Sequence, residues 1–317
     1  MKRALALGAL AALFFASTFV INRLLIQGGA SSFWVGGLRY AFTLVPLAIL
    51  VAARGELRPL FHELRRNFGP WLLWGTVGFG LFYLPLTLAS RWAPAWLTAG
   101  IWQLTIVMGS LLVPFIRPKG TIPLKELWPS GIILGGVALS EWASHRTLGS
   151  GGLVALIPVT IAAIAYPLGN RQMMGYVSRL HITLSVFQRT LGMTVGSLPF
   201  WILAMGIGYE RSGWPSGHLM VGALAVALFA GVVATLLFFR ATEETQGDLG
   251  WLARIEATQS LEIVFTVLMA SLFFRQAWPS ARELFGLAVI VAGMVIHSLR
   301  RTVPLSSAAE AEATWLE

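Results

Sequence analysis

The chain of 317 residues contains no cysteine. Disulfide frameworks, thiolate nucleophiles and Cys-ligated zinc are therefore excluded, and cysteine usage says nothing about redox compartment. Charge is scarce as well, at 12% of residues against roughly 25% in an ordinary soluble domain. With 56% hydrophobic residues, disorder is excluded, and more apolar surface is present than one soluble core can turn inward. The five histidines (His62, His145, His181, His218 and His297) include no His-x-x-x-His pair, so no metal site is predicted. No Gly-x-Ser-x-Gly nucleophile elbow and no phosphate-binding loop of the nucleotide-hydrolysing type occurs in the sequence. Neither an enzyme nor a cofactor is predicted.

What is present fits a bilayer. The 33 glycines and 13 tryptophans match the small residues and interfacial aromatics of membrane proteins. A crossing helix needs about 20 mostly apolar residues. By that measure ten spans are predicted, near 4–26, 33–53, 69–90, 94–116, 127–144, 151–173, 182–208, 218–240, 249–274 and 281–300. Only 54–68, with Arg54, Arg58, Arg65 and Arg66, is long enough between spans to carry an amphipathic surface turn. The polar, acidic tail after Arg301 is expected to be disordered.

Basic residues orient the chain. Placing the N-terminus in the cytoplasm puts fourteen Lys and Arg on that side and six on the other, with Arg39, Arg189 and Arg254 inside spans completing the 23. This asymmetry predicts both termini in the cytoplasm of a cell-membrane (inner-membrane) protein. It also accounts for a net charge of +9 without a nucleic-acid partner. Lys2-Arg3 followed by an apolar run also suits a cleaved signal peptide, but the run continues past Ala16-Ser17 to Ile26, beyond the 7–15 residues typical of one.

The two halves resemble each other. Residues 125–139 (Lys-Glu-Leu-Trp and an apolar run) align with 282–296 (Arg-Glu-Leu-Phe and an apolar run), and Leu104-Thr105-Ile106-Val107 aligns with Leu261-Glu262-Ile263-Val264. Closer to the start of each half, Arg39 pairs with Arg189 and Asn22-Arg23 with Asn170-Arg171. The pattern predicts an all-α polytopic protein of ten transmembrane helices built as two five-helix repeats, 1–148 and 149–301, followed by the tail 302–317. An odd number of spans per repeat inverts the second copy, an architecture that recurs in secondary transporters with a substrate site near the midplane.

Two five-helix units, the Gly286 to Gly293 spacing in the last helix and an Arg early in the second helix of each unit resemble the drug/metabolite transporter superfamily. Within it the chain is similar to the ten-span, EamA-like exporters, including those labelled multidrug resistance efflux proteins. The resemblance covers 4–301 and implies a secondary active transporter exporting small amphipathic metabolites or drugs by alternating access. The partners it implies are a small-molecule substrate, the lipid bilayer and coupling protons, in a monomer or homodimer. The rival readings are a membrane-embedded enzyme or lipid-handling protein, and a non-transporting scaffold.

Ionisable groups inside spans are functional candidates by default. Span 9 holds the densest set, in which Arg254, Thr258 and Glu262 share a stripe at helical spacing, with Gln259 beside it. Glu262 falls near the midplane, where a carboxylate either trades a proton for a substrate or forms an ion pair with Arg39 or Arg189. Arg39 and Arg189, with Asn22 and Asn170, are candidate gate elements at symmetry-related depths near the two mouths; capping of neighbouring carbonyls is the structural alternative. Trp102, Gln103, Phe79, Phe82, Tyr83 and Tyr166 are candidate lining for an amphipathic substrate, or packing. Glu141 reads as interfacial. Gly192-x-x-x-Gly196 and Gly131-x-x-x-Gly135 read as close helix contacts. Pro46, Pro85, Pro158, Pro167 and Pro199 are candidate kinks.

Overall fold

The computed structural model describes residues 2–112, 127–148, 150–180, 183–245 and 248–300. Among them every regular element is helical. Arg117, Lys119, Lys125, His181 and the tail 302–317 lie outside the described residues.

The helices follow the apolar runs. In order they are α1 (Lys2–Gln27), α2 (Ser32–Ala53), the surface helix α3 (Leu57–Arg66), α4 (Phe68–Ala89), α5 (Ala95–Leu111), α6 (Trp128–Leu148), α7 (Gly151–Arg179), α8 (Val186–Ser212), α9 (Gly217–Glu243), α10 (Gly250–Phe273) and α11 (Ala281–Arg300). Among the described residues, eight of these helices are long and apolar enough to cross a membrane, and α5 is a shorter apolar helix. The 21-residue α6, whose second half carries Glu141, Ser144 and His145, is not among those eight. The protein is a polytopic, all-helical membrane protein.

Helix starts are set by local chemistry. Ser185 caps α8 by accepting from the Gln188 N–H at 3.2 Å, while the Gln188 side chain accepts from the Ser185 N–H at 2.7 Å. This capping box satisfies two donors that the first turn leaves open. It also starts the span at Val186, four residues later than the apolar pattern predicts. The far end of α8 stops at Gly213, whose φ of 68° is open to glycine and strained for other residues.

Small residues bring the helices together. Gly192 and Gly196 of α8 lie flat on Trp71 of α4, and Gly169 of α7 meets Gly78 of α4 backbone to backbone. Gly131 and Gly135 do not serve this purpose, since a Cβ on either would meet open space. The α6–α11 seam instead uses Gly136, where a Cβ would come within 2.7 Å of Ile290, together with Gly286 and Gly293 of α11. Helical periodicity explains the difference, because Gly136 lies one step round the helix from Gly135. α1 is an unbroken helix whose Ala11, Ala12, Ala16 and Val20 are buried in the bundle.

The irregular turns do not follow the prolines. α4 widens over Thr76–Gly80 and α9 over Ala227–Ala234, each as a π turn. α5 breaks at Gln103, between Ala95–Trp102 and Leu104–Leu111. α10 tightens into a 3₁₀ turn over Thr258–Ser260.

Candidate functional site

The break in α5 and the tight turn in α10 face each other at the centre of the bundle. The Gln103 N–H reaches back to Gly100 O at 3.2 Å and its own carbonyl accepts from Ile106 at 3.1 Å. These three-residue steps free the side chain from the helix surface, and its amide donates to Ala99 O at 3.1 Å. The same side chain lies within reach of Glu262, which is 8% exposed just beyond the α10 turn. Thus the buried carboxylate is met by an amide of α5, and not by an arginine as an interhelical ion pair would require.

The stripe of span 9 is split. Three residues in a 3₁₀ turn add about 60° of rotation relative to an α-helix. Arg254 is exposed and stacks over Trp251 at 4.5 Å, while Thr258 packs against Gly8 of α1 and Glu262 turns inward. Arg254 therefore stands outside the central cluster. The Gln259 Nε2 is buried and has no hydrogen-bond partner.

An aromatic wall continues from the carboxylate. Tyr166 of α7, Trp102 of α5 and Phe82 of α4 form a triangle, with ring centroids at 5.0 Å for Phe82–Tyr166, 5.0 Å for Phe82–Trp102 and 5.6 Å for Trp102–Tyr166. Tyr83 and Tyr40 extend it, and Tyr40 stacks on Trp201 at 5.0 Å. Tyr166 is 39% exposed, yet it lies on the opposite side of α7 from the exposed stripe Leu153, Ile157, Ile161 and Ile164. Its open face therefore looks into a space inside the bundle. Tyr166 is within electrostatic reach of both Glu262 and Arg39.

Arg39 packs against this aromatic wall. Its guanidinium lies 3.8 Å from the Tyr83 ring centroid and 5.4 Å from that of Tyr40. Tyr83, fully buried, donates its hydroxyl to Asn22 Oδ1 at 2.9 Å. Asn22, Arg39 and Tyr83 are thus one unit, drawn from α1, α2 and α4. Both Asn22 Nδ2 and Arg39 Nη1 are buried with no hydrogen-bond partner. The chamber presents a cation at one end, a carboxylate at the other and π faces between.

Arg189 and Asn170 are placed differently. Because α8 begins at Val186, Arg189 falls in its first turn, whereas Arg39 sits a full two turns into α2. Equal depths are therefore not found. Asn170 donates to Tyr166 O of its own helix at 2.8 Å, and Arg171, next to it, donates to Gly109 O of α5. Two further residues lie outside the sequence expectations. Tyr40 was signalled only by its place beside Arg39. Glu56, between α2 and α3, accepts from the Ser185 hydroxyl, and its carbonyl accepts from Gln188 Nε2 at 2.7 Å. With Tyr176 Oη donating to Glu63 of α3 at 3.1 Å, these contacts tie α3 to α7 and α8.

The family model described as "EmrE: Putative multidrug resistance efflux transporter" matches residues 2–303. "Uncharacterized protein YjlA" of Bacillus subtilis (strain 168) is 42% identical over 311 residues, covering 93% of this chain and 94% of that protein. The "Uncharacterized 42.1 kDa protein in intracellular alkaline protease 3'region" of Shouchella clausii is 42% identical over 283 residues, or 86% of this chain and 74% of that protein. A solved structure described as "Crystal structure of protein" superposes with a TM-score of 0.60 over 94% of this chain and 97% of its own, at 16% identity, a likeness of fold alone. The chain belongs to the EmrE-type multidrug resistance efflux transporter family.

Proposed function

We propose that this protein is a secondary active transporter that exports small amphipathic metabolites or drugs across the cell (inner) membrane by alternating access, with both termini in the cytoplasm. Ten spans form two inverted repeats, 1–148 and 149–301. Two pairs of irregular turns support this arrangement. The π turns of α4 and α9 begin 151 residues apart, at Thr76 and Ala227. The break at Gln103 and the end of the α10 turn at Ser260 are 157 residues apart, the offset that relates the last helices of the two halves. Discontinuous helices meeting between repeats are how transporters expose polar groups at membrane depth.

The observation that carries the reading is the Gln103–Glu262 contact at the two helix breaks, opening onto the Tyr166–Trp102–Phe82 wall with Arg39 beyond. An amphipathic substrate lays its apolar part on the π faces and its polar part on Gln103, Gln259 and Glu262. A proton and the substrate compete for Glu262, because each stabilises a carboxylate that the other must leave. The test is uptake into proteoliposomes under an imposed pH gradient. Glu262→Gln is expected to stay folded and to lose the proton-driven component. Retention of full coupling by a stable Glu262→Gln protein would end this reading, and a fall in thermal stability with coupling intact would make Glu262 structural.

A further inference from the structure

The chamber holds donors that the fold leaves unused. Asn22 of α1 is 1% exposed; its Oδ1 accepts from the Tyr83 hydroxyl, while its Nδ2 has no hydrogen-bond partner. Arg39 of α2, half-buried, lies over the same ring, its guanidinium 3.8 Å from the centroid. Its Nη1 is buried and equally without a partner, and among the described residues Arg39 forms no ion pair. A cation inside a span is normally matched by an opposite charge or by backbone carbonyls. Stacking on a π face offsets part of the lost hydration but leaves an N–H of the guanidinium still to be used.

The partner these donors call for is an acceptor that carries negative charge. A carboxylate offers two oxygens, one for the Arg39 Nη1–H and one for the Asn22 amide, and charge-assisted bonds of this kind are about twice as strong as neutral ones. One fixed cation balances one negative charge, so a monoanion suits this end and a phosphate dianion does not. The wall sets the rest of the molecule. Tyr83 lies 5.8 Å from Phe82 between ring centroids, and Phe82 lies 5.0 Å from both Trp102 and Tyr166. Aromatic rings therefore run without a gap from the Arg39 end to the partly open face of Tyr166. An aromatic ring joined to an acid group by a short chain matches both features, whereas an ammonium head at this end is repelled by Arg39.

We infer, on the basis of the transport reading above, that the substrate of this chamber is an aryl carboxylate, its acid group held by Arg39 and Asn22 and its ring on the Phe82–Trp102–Tyr166 wall.

The experiment uses the full chain purified in a maltoside detergent and measures binding of tritiated phenylpropionate by scintillation proximity. Wild type is expected to show a saturable component that unlabelled phenylpropionate displaces and that phenylpropanol, phenylpropylammonium and acetate, at equal concentration, do not. Arg39→Gln is expected to weaken binding about tenfold to hundredfold, the usual weight of hydrogen bonds to a charged group. Asn22→Asp keeps the Oδ1 acceptor for Tyr83 and places a carboxylate of the protein's own in the anion's position. It is expected to lose the component while keeping or raising thermal stability, and it serves if Arg39→Gln does not fold. Wild-type affinity in either variant, a destabilised Asn22→Asp protein, or competition by phenylpropanol, phenylpropylammonium or acetate as strong as by phenylpropionate would overturn the inference. Proton-driven uptake into proteoliposomes by a protein without saturable phenylpropionate binding would end the anion site and leave the transport reading, whereas binding without uptake would end that reading and leave the site.

Discussion

Tyr83 offers the sharpest test of the chamber, because one side chain holds two partners through different atoms. Its hydroxyl donates to Asn22 Oδ1 at 2.9 Å, and its ring carries the Arg39 guanidinium at 3.8 Å. Tyr83→Phe removes the hydroxyl and keeps the ring. Asn22 is then left with no hydrogen-bond partner for its oxygen, as its Nδ2 already is. In water-soluble proteins such an orphan costs about 1–3 kcal/mol; side-chain hydrogen bonds inside a membrane average about 0.6 kcal/mol, with a maximum near 1.7 kcal/mol. The expected loss for Tyr83→Phe is therefore about 0.6–1.7 kcal/mol. Tyr83→Leu removes the ring as well. Losing the cation–π contact adds about 0.5–2 kcal/mol, and loss of the edge contact with Tyr40, at 5.8 Å, adds about 0.5–1.5 kcal/mol. Reversible unfolding in mixed detergent gives each value, and a double-mutant cycle of Tyr83→Phe with Asn22→Leu isolates the hydrogen bond. A coupling within error of zero, or equal losses for Phe and Leu, would refute the geometry from which the chamber is built.

Other consequences are independent of that cluster. Gly169→Ala drives a methyl into the Gly78 backbone and is expected to destabilise by about 1–3 kcal/mol, whereas Gly131→Ala, facing open space, is expected to be neutral or slightly stabilising; thermal unfolding in detergent distinguishes them. The Ser185 hydroxyl, with Arg54, holds the Glu56 carboxyl below its ordinary value against partial desolvation, so the α3 tether is complete at neutral pH and its contribution is lost as pH falls through that lowered value. Glu56→Gln is accordingly expected to flatten the acid limb of the stability profile, and an unchanged limb would dismiss the tether. For topology, a single Cys at Ser31, in the α1–α2 turn of this cysteine-free chain, is expected to react with impermeant reagents from outside only; labelling from the cytoplasm would reverse the orientation.

The spans were legible because a crossing helix announces itself by length and apolarity, and each predicted run overlaps a described helix. Termini were less so. The apolar pattern starts span 7 at 182, while the Ser185–Gln188 box delays the helix to Val186 and leaves Arg189 in its first turn. The breaks at Gln103 and Thr258–Ser260 were invisible because neither contains Pro or Gly; the five prolines inside spans drew attention to other places. That misreading carried Arg254 into a stripe with Glu262 that the 3₁₀ turn pulls apart. The burial of Glu141, 5% exposed, was not legible for another reason: distance from a helix end says nothing about burial when a neighbouring helix starts with Gly152.

The same breaks explain why the candidate site was only half readable. A polar side chain on a regular helix has its position fixed by the helix surface, so spacing predicts its neighbours. At Gln103 and at Ser260 the backbone departs from that surface, and the side chains that follow are aimed by the break and not by the period. In the proposed two-repeat arrangement each break lies in the fourth helix of its half, and each is bordered by a polar residue inside an apolar span. A five-helix unit whose fourth helix is locally unwound would present a lone polar group to lipid. Paired with an inverted copy, it presents that group to another, here Gln103 to Glu262. Charge then need be supplied by only one copy: position 105, the counterpart of Glu262 at the same 157-residue offset, is Thr105. In that proposed arrangement a symmetric backbone with asymmetric chemistry would leave one acidic group at the centre for a proton or a substrate to occupy, and would leave the two halves free to rock about that point without separating a buried ion pair.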